Sequence, residues 1–269
     1  MNPEYSTALS DKVIVIIGGT TGLGLSAAKA FLAAGARGLV VTGRNPDHCR
    51  AAAELLGDRV RAFSGDASEP AHAPQAIELG LNTFGAFDAL YHVAGGSGRK
   101  LGDGPLHEVT DAGIRATLQL NLESVIFSNR AAVQQFIARK SRGAILNLSS
   151  VLGWAPAPAF FATHIYAAAK AAIIGFTQSC AAYYAPQNIR FNVLAPGLVD
   201  TPMARRAVAD PVIGSFIRTK QPLEGGRIGQ AEDLDAAAVY FLSDGARFTT
   251  GQVLAVDGGW TVSEGQIPD

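Results

Sequence analysis

The sequence predicts an α/β fold with one doubly wound, mostly parallel sheet of seven strands and helices on both faces. Short apolar runs rich in β-branched residues, such as Val13–Ile17, are typical of strands that are buried on both faces of a parallel sheet. Such runs alternate with helical patterns along the chain, which is the order expected when right-handed crossovers build the sheet. No linker or longer repeat interrupts this order, so we expect residues 1–269 to form a single domain.

The composition narrows the classes of protein. The formal net charge of −1 gives no electrostatic reason to expect nucleic acid or an anionic membrane as a partner. The apolar runs are short and interrupted by Gly, Pro or charge, so no membrane span is predicted. Cys49 and Cys180 show neither metal-binding spacing nor a disulfide framework, and residues 1–11 contain no apolar signal core. We therefore expect a cytoplasmic protein without a metal site.

A strand, a glycine-rich turn and a helix follow one another near the start of the chain. The strand is Val13–Ile17, the turn is Gly18–Gly24 and the helix pattern covers Leu25–Ala34. Glycines in such a turn permit a tight bend and let backbone N–H groups approach a pyrophosphate at the helix N-terminus. Thr20 and Thr21 can add hydroxyl donors. The alternative is a turn that only connects strand and helix, but this order of elements favours dinucleotide binding.

The end of the second strand, Leu39–Thr42, bears on the choice of dinucleotide. In a dinucleotide-binding fold this point faces the adenosine ribose, where an Asp or Glu would bind the 2′-hydroxyl. The first carboxylate after the strand is Asp47, which belongs to the next predicted helix. Arg44 instead offers planar donors that suit a 2′-phosphate, with a solvated turn arginine as the alternative. We therefore predict that NADP is preferred and that NAD is possible.

The third and fourth strands also end in candidate contact residues. Arg59–Ser64 is the third strand, and Asp66 follows it as an acceptor for the adenine amine or as a helix N-cap. Phe87–Val93 is the fourth strand, and the glycines of Ala94–Gly98 allow close approach of a cofactor. Two basic residues follow on a predicted mobile loop. They either meet an anionic substrate group or are solvated, and we favour solvated charges for Arg99 and Lys100.

The middle of the chain is predicted to be helical before the sheet continues. Residues 106–140 indicate one or two long helices, and Asn121 lies among apolar residues where it needs a buried partner. The fifth strand is Ala144–Leu148, and Ser149 and Ser150 end it. In the loop that follows, the aromatic residues form either the wall of an apolar pocket or a packing contact with a later segment. These residues are Trp154, Phe160 and Phe161.

The last third of the chain completes the sheet. Ile189–Leu194 and Gln252–Val256 are predicted as the sixth and seventh strands, and Ala231–Leu242 as a helix. Residues 201–226 combine prolines, glycines and basic side chains, which is typical of a segment that orders when a ligand binds. We expect this segment to be a partly helical, mobile flap over the substrate.

Tyr166 and Lys170 are the strongest candidates for chemistry. A spacing of four residues places the phenol and the ammonium one turn apart on the same face of a helix. A free tyrosine has a pKa of about 10, and a nearby ammonium favours the phenolate. The pair is therefore suited to passing a proton to or from a carbonyl or alcohol oxygen. By itself, the pair could also be two neighbours on a surface helix.

Taken together, residues 12–259 resemble the short-chain dehydrogenase/reductase family. The turn follows the family pattern of glycines at positions 18, 22 and 24, and His92-Val-Ala-Gly95 stands where the family usually has Asn-Asn-Ala-Gly. The resemblance implies a Rossmann-like oxidoreductase that transfers a hydride between a nicotinamide and a carbonyl or secondary alcohol. It implies a catalytic tetrad of Asn121, Ser150, Tyr166 and Lys170. The expected cofactor contacts, besides Tyr166 and Lys170, are Gly18, Thr20, Thr21, Gly22, Leu23, Gly24, Arg44, Asp66, Ala67, Ala94, Gly95, Pro196, Gly197, Val199 and Thr201.

The resemblance also implies a role for each member of the tetrad. Tyr166 would act as the acid in reduction and the base in oxidation, and Ser150 would bind the reacting oxygen. Lys170 would lower the Tyr166 pKa and hold the nicotinamide ribose, while Asn121 would order a water that connects Lys170 to solvent. The chain would form a homo-oligomer, either a tetramer or a dimer. The alternatives are a non-catalytic NADP-binding sensor and a structural interaction protein.

Three departures from the family pattern bear on these expectations. Ile17 replaces a threonine that often precedes the first glycine. His92 replaces an asparagine, so we expect the turn after the fourth strand to lose an amide that could hold the neighbouring backbone. The gap between Ser150 and Tyr166 is longer than usual, which weakens the transfer of any particular substrate from a relative.

Overall fold

The computed structural model describes residues 7–265 and contains one sheet of seven strands. Every pair of neighbouring strands is parallel, in the order β3-β2-β1-β4-β5-β6-β7. The predicted doubly wound α/β class is confirmed, and the sheet described here is wholly parallel. The strands are β1 (Val13–Ile17), β2 (Gly38–Gly43), β3 (Val60–Ser64), β4 (Ala89–His92), β5 (Gly143–Leu148), β6 (Ile189–Pro196) and β7 (Val253–Val256).

The helices connect these strands and cover both faces of the sheet. The region predicted as one or two long helices begins at Asp111, because a turn at residues 102–110 precedes it, and a π-turn over Gln119–Glu123 divides it. The predicted helix from Ala231 starts as a 3₁₀ turn, Ala231–Leu234. No helix among residues 7–265 is both long and apolar enough to cross a membrane. The helices are α1 (Gly22–Ala33), α2 (Pro46–Leu56), α3 (His72–Phe84), α4 (Asp111–Leu118), α5 (Ser124–Ala138), α6 (His164–Tyr184), α7 (Arg205–Val208), α8 (Pro211–Lys220) and α9 (Asp235–Leu242).

The core has one hydrophobic layer on each side of the sheet. Side chains alternate along a strand, so Ile14 and Ile16 of β1 enter one layer while Val15 and Ile17 enter the other. The first layer packs against α1, α2 and α9, and the second packs against α3, α5 and α6. Burial on both faces explains why this strand reads as a continuous apolar run.

The topology places a crevice at the carboxyl ends of the central strands. The chain moves outward from β1 to β3 and then returns to β4 on the other side of β1. Loops that follow β1 and β4 therefore diverge, and ligands of open α/β sheets bind at such a switch point. Residues 201–226, predicted as a partly helical flap, contain α7, α8 and a 3₁₀ turn over Leu223–Gly225. The mobility of this segment stays a prediction.

Candidate active site

A cleft of about 510 Å³ opens at this edge of the sheet. Segments that follow all seven strands line it, so residues far apart in sequence meet there. All of the predicted site residues line the cleft except Gly24 and Asn121, which lie behind its wall. The predicted residues that line it are Gly18, Thr20, Thr21, Gly22, Leu23, Arg44, Asp66, Ala67, Ala94, Gly95, Ser150, Tyr166, Lys170, Pro196, Gly197, Val199 and Thr201.

The glycine-rich turn after β1 forms a cradle made of backbone. Gly18 has a φ of +91°, and a Cβ there would lie 2.6 Å from the Ala94 nitrogen. A Cβ on Gly24 would lie 2.1 Å from the Gly18 carbonyl oxygen, so Gly24 lets α1 begin against the turn without itself facing the cleft. Thr21 precedes α1 and makes no side-chain capping hydrogen bond. The first amides of α1 therefore have no side-chain cap, and such a helix N-terminus suits a pyrophosphate.

The end of β2 carries a cation and no carboxylate. Arg44 is exposed and lines the cleft. Asp47 forms an ion pair with Arg50 in the first turn of α2, and the Asn45 Oδ1 caps that helix by accepting from the Asp47 nitrogen at 2.8 Å. Gly43 packs closely, because a Cβ there would lie 2.2 Å from the Thr20 Oγ1. This end of the cleft therefore offers a guanidinium to a ligand.

Asp66 is the one carboxylate among the described residues that line the cleft. Its Oδ1 accepts from the Ser68 nitrogen at 2.9 Å and from the Ser68 hydroxyl at 2.7 Å. The helix N-cap interpretation is wrong, because α3 begins after Ala71 and Asp66 instead closes a short turn. Burial acts to raise the pKa of Asp66, but the hydrogen bonds from Ser68 and the charge of Arg44 hold it below its usual value. The residue is an anionic acceptor at neutral pH.

Ser150, Tyr166 and Lys170 meet at the cleft where β5 ends and α6 begins. Lys170 is 3% exposed, its Nζ lies 5.5 Å from the centre of the Tyr166 ring, and it donates to the Leu148 carbonyl at 2.9 Å. Ser150 is 7% exposed, and its hydroxyl accepts from the Leu152 nitrogen at 3.2 Å. A hydroxyl, a phenol and an ammonium thus share one small region of the wall.

The protonation of this group favours a neutral phenol beside a charged lysine. Burial lowers the pKa of Lys170 to about 8, so the ammonium still predominates at pH 7. Burial raises the pKa of Tyr166, and the Ser150 hydroxyl acts in the opposite direction. In the protein chain alone burial has the larger influence on the phenol, and the lowering of the Tyr166 pKa by Lys170 stays a prediction. A neutral phenol is a proton donor.

Asn121 holds the loop after β4 from behind. Its Oδ1 accepts from the Gly96 nitrogen at 3.0 Å, and its Nδ2 donates to the Gly96 carbonyl at 3.0 Å. The π-turn frees the Thr117 carbonyl, which accepts from the Asn121 side chain at 2.9 Å. A Cβ on Gly95 would lie 2.9 Å from the Asn121 Oδ1 and 3.5 Å from the Lys170 Nζ, so a glycine lets the amide and the ammonium approach each other.

His92 contacts the backbone of the turn that follows β4. Its Nε2 lies 3.2 Å from the Ala94 carbonyl oxygen, and its Nδ1 lies 2.7 Å from the Ser128 hydroxyl. Burial, and then the charge of Lys170, lower the pKa of His92 to about 3, so the ring is neutral. The turn lacks an asparagine amide at this position, but the imidazole still contacts its backbone at Ala94.

Asp103 is a functional candidate that the sequence did not reveal. Its side chain is 6% exposed and caps α6, with Oδ1 accepting from the Ile165 nitrogen at 3.1 Å and Oδ2 from the Tyr166 nitrogen at 2.8 Å. A carboxylate at a helix N-terminus also interacts favourably with the helix dipole. Asp103 therefore fixes the start of the helix that carries Tyr166 and Lys170.

The aromatic loop contributes only part of the cleft wall. Phe161 lines the cleft and packs against Trp260, with ring centres 5.7 Å apart. Phe160 packs instead on Phe216 of α8 at 4.9 Å, and Trp154 is 43% exposed. The apolar-wall interpretation is therefore right for Phe161 and wrong for Trp154, while Phe160 makes the packing contact with the segment 201–226. Trp260, which also lines the cleft, was not predicted.

The two basic residues after β4 differ in position. Lys100 is exposed, as expected for a solvated charge. Arg99 is partly buried and lines the cleft, so the expectation of a solvated charge is wrong for this residue. Arg99 lies in the short 3₁₀ turn Arg99–Leu101, and it donates a hydrogen bond to the Phe160 carbonyl in the loop before α6.

Comparison with known proteins adds an independent line of argument. A family model described as Enoyl-(Acyl carrier protein) reductase matches residues 18–261. The chain is 31% identical over 254 residues to the 2,5-dichloro-2,5-cyclohexadiene-1,4-diol dehydrogenase of Sphingobium indicum, covering 94% of this chain and 98% of that protein. It is 32% identical over 257 residues to the cis-4-hydroxycyclohexanecarboxylate dehydrogenase of Sinomonas cyclohexanicum, with coverage of 94% and 98%.

A solved structure matches over almost the same length. A short-chain type dehydrogenase/reductase from Mycobacterium ulcerans superposes with a TM-score of 0.87 at 27% identity. The match covers 95% of this chain and 92% of that structure. The matched region contains every segment that lines the cleft.

Proposed function

The chain belongs to the short-chain dehydrogenase/reductase family and is an NAD(P)-dependent oxidoreductase acting on alcohol or ketone groups, and from that premise we propose that Tyr166 is its general acid and base. The observation that carries the proposal is the meeting of Ser150, Tyr166 and Lys170 at one wall of the cleft. Proton transfer to or from a carbonyl oxygen needs such a donor within hydrogen-bond reach.

In reduction, the Tyr166 phenol gives its proton to the substrate oxygen. When bound, the nicotinamide supplies the hydride to the carbonyl carbon or accepts it from the alcohol. The phenol is neutral in the protein, so it begins this step in the donor form. The Ser150 hydroxyl donates to the same oxygen and stabilises the negative charge that develops there. In oxidation both residues act in reverse, with Tyr166 as the base.

Lys170 and Asn121 support this exchange. We propose that the buried Lys170 ammonium binds the nicotinamide ribose and favours the phenolate once the proton has left. Asn121 is completely buried and uses both polar atoms on Gly96 and Thr117, so its first effect is to fix the loop that lies against Lys170. Ordering of a water that links Lys170 to solvent remains part of the proposal for Asn121.

We propose that the cofactor is NADP in preference to NAD. The backbone cradle from Gly18 to Leu23 would hold the pyrophosphate, since no side chain blocks or caps it. Arg44 would bind the 2′-phosphate, and Asp66 would accept from the adenine amine. The segment from Pro196 to Thr201 would contact the nicotinamide. The absence of a carboxylate at the end of β2, among the described residues, supports the choice of NADP.

The substrate is proposed to be a small secondary alcohol or ketone. Two relatives are named for dehydrogenation of hydroxyl groups on six-membered carbon rings, and Phe161 and Trp260 give this cleft an apolar wall that suits such a body. We also propose a homo-oligomer, with a tetramer preferred over a dimer. Residues 7–265 contain no group of three or more His, Cys, Asp or Glu side chains that could hold a metal ion.

A spectrophotometric assay tests the proposal. Purified protein is mixed with NADPH and a panel of cyclic and linear ketones, and with NADP⁺ and the corresponding alcohols. Absorbance at the nicotinamide wavelength reports turnover, and a fluorescence titration with NADPH reports binding. If the protein is an enzyme, we expect turnover of at least one ketone or alcohol. Binding of NADPH without turnover across the panel would favour a cofactor-binding sensor.

A further inference from the structure

Two arginines from different segments converge on one carbonyl oxygen in the wall of the cleft. Arg99 lies in the 3₁₀ turn after β4, and Arg206 lies in α7. The Arg99 Nη2 donates to the Phe160 carbonyl at 3.1 Å, and the Arg206 Nη2 donates to the same oxygen at 3.4 Å. Both residues line the cleft together with Ser150 and Tyr166. We call Arg99 and Arg206 the arginine pair.

No acidic side chain among the described residues forms an ion pair with the arginine pair. Among residues 7–265, neither guanidinium lies within 4.0 Å of a carboxylate oxygen. Asp103 is close in sequence to Arg99, but both of its oxygens are occupied by the first amides of α6. Burial, and then the charge of Arg206, lower the pKa of Arg99, whereas Asp103 raises it. Arg99 is partly buried and Arg206 is exposed, and the two like charges repel each other.

The hydrogen bonds among residues 7–265 engage only a few of the donors of this pair. Each guanidinium carries five N–H donors, and the Phe160 carbonyl engages one nitrogen of each. Phe160 belongs to the loop that joins Ser150 to Tyr166, so the pair is tied to the segment that carries the reacting groups. The glycine turn and Arg44 provide separate positive features for the phosphates of a dinucleotide.

We propose that the arginine pair binds the carboxylate of a substrate that carries both a carboxylate and a carbonyl or secondary alcohol. The inference rests on the proposed function, because it names the class of substrate for the same site. A planar carboxylate matches the parallel donors of a guanidinium and would offset the repulsion between the two cations. The apolar side chains of Leu152, Phe161 and Trp260 line the same cleft and would contact the hydrocarbon part of the substrate.

The test uses pairs of ketones that differ only in charge. The pairs are 4-oxocyclohexanecarboxylate and its methyl ester, and 4-acetylbenzoate and its methyl ester. Each is reduced with NADPH by the wild-type enzyme and by the Arg99→Gln and Arg206→Gln variants. Arg205→Gln is the matched control, because Arg205 is an exposed arginine of the same helix that does not line the cleft. Thermal melts check that each variant is folded.

The measured quantity is the ratio of kcat/KM for the acid to kcat/KM for the ester. The wild type should prefer the acid, and removing either arginine should lower the ratio by about 10- to 100-fold, the range for a hydrogen bond between charged groups. Arg205→Gln should leave the ratio unchanged. A wild-type ratio near one would overturn the proposal. An equal loss of kcat/KM for acid and ester in the Arg99→Gln and Arg206→Gln variants would also overturn it, because the arginine pair would then serve only to hold the loop.

Binding measurements separate this proposal from the proposed function. Calorimetric titration of the NADP-loaded protein with 4-acetylbenzoate reports on the anion site whether or not any ketone turns over. Binding that Arg206→Gln weakens would support the arginine pair even if reduction failed, and absence of binding to the wild type would refute it. A loss of NADP affinity in the Arg99→Gln and Arg206→Gln variants as large as the loss in the ratio would assign the pair to the cofactor and overturn the proposal.

Discussion

The carboxylate that caps α6 offers a direct test of how the fold positions Tyr166. Asp103 accepts two hydrogen bonds from the first turn of the helix, and one of the donors is the backbone nitrogen of Tyr166 at 2.8 Å. In the Asp103→Ala variant, both amides lose a charged acceptor in a site with little access to water. We expect a loss of stability, and a loss of activity larger than the stability change alone would cause.

The magnitude follows from the two hydrogen bonds. A hydrogen bond to a charged group contributes about 1.5–3 kcal/mol, and water can partly replace the acceptor at a helix end. The free energy of unfolding should therefore fall by about 2–4 kcal/mol, which corresponds to a decrease in Tm of about 5–15 °C for a domain of this size. A phenol displaced by about 1 Å would lower kcat by about 100-fold.

Calorimetry and steady-state kinetics measure the two effects, with Asp88→Ala as the control. The Asp88 Oδ2 accepts from the Val13 nitrogen at 2.8 Å, at the edge of the sheet opposite the cleft. That variant should lose stability and keep its kcat, whereas Asp103→Ala should lose both. If Asp103→Ala retained the wild-type kcat, the carboxylate would stabilise the helix without positioning the phenol, and the reasoning would be refuted.

Three further predictions concern the cofactor, pH and the flap. Arg44→Ala should lower the preference for NADP over NAD, and the loss should be only about 10-fold because the exposed Arg44 is screened by solvent. Arg50→Ala should leave the preference unchanged. Equal affinities of the wild type for NADP and NAD would show that Arg44 is only a turn residue. Burial raises the pKa of Asp235 to about 6, above its unfolded value of about 3.9, so its contribution to stability is complete below pH 4 and is lost as the pH rises through 6. Asp235→Asn should therefore raise the free energy of unfolding at pH 7.5 by at most about 3 kcal/mol, seen as a higher Tm, but should not raise it at pH 4; equal Tm gains at both pH values would contradict this. Amide exchange in residues 201–226 should be faster than in the strands and should slow when NADP binds; uniform protection without cofactor would show that the segment is not a flap.

Local pattern was enough to predict the sheet and most of the cleft. Val13–Ile17 was predicted with its observed limits, because burial on both faces leaves no polar residue inside the strand. Glycines and polar residues that follow parallel strands must gather at one edge, so the fold class itself placed Arg44 and Asp66 in the cleft.

Contacts between distant segments were the main source of error. Asp103 and α6 are separated by more than 60 residues, and nothing in the local sequence at Asp103 indicates which helix it caps. Arg99 depends on the path of the aromatic loop in the same way. The π-turn at Asn121 was not predicted from the sequence. The exchange of an asparagine for His92 likewise gave no sign that the imidazole would contact the Ala94 carbonyl.

Close packing also changes how one cofactor experiment must be designed. From the sequence, an aspartate in place of Gly43 looks like a simple way to favour NAD by supplying a ribose acceptor. In the structure a Cβ at this position would lie 2.2 Å from the Thr20 Oγ1, so the variant would disturb the glycine turn as well as the charge. Arg44→Ala avoids this conflict, because the exposed side chain is shortened and not enlarged.

The central claim is that Tyr166 transfers the proton to the substrate oxygen, and the Tyr166→Phe variant tests it most directly. The change removes the hydroxyl and keeps the ring beside Lys170. With any ketone that the wild type reduces, we predict that kcat falls by at least about 100-fold while NADPH binding, followed by fluorescence titration, changes little. A variant that keeps more than about a tenth of the wild-type kcat would contradict the claim, because so small a loss lies below the range expected of general acid catalysis.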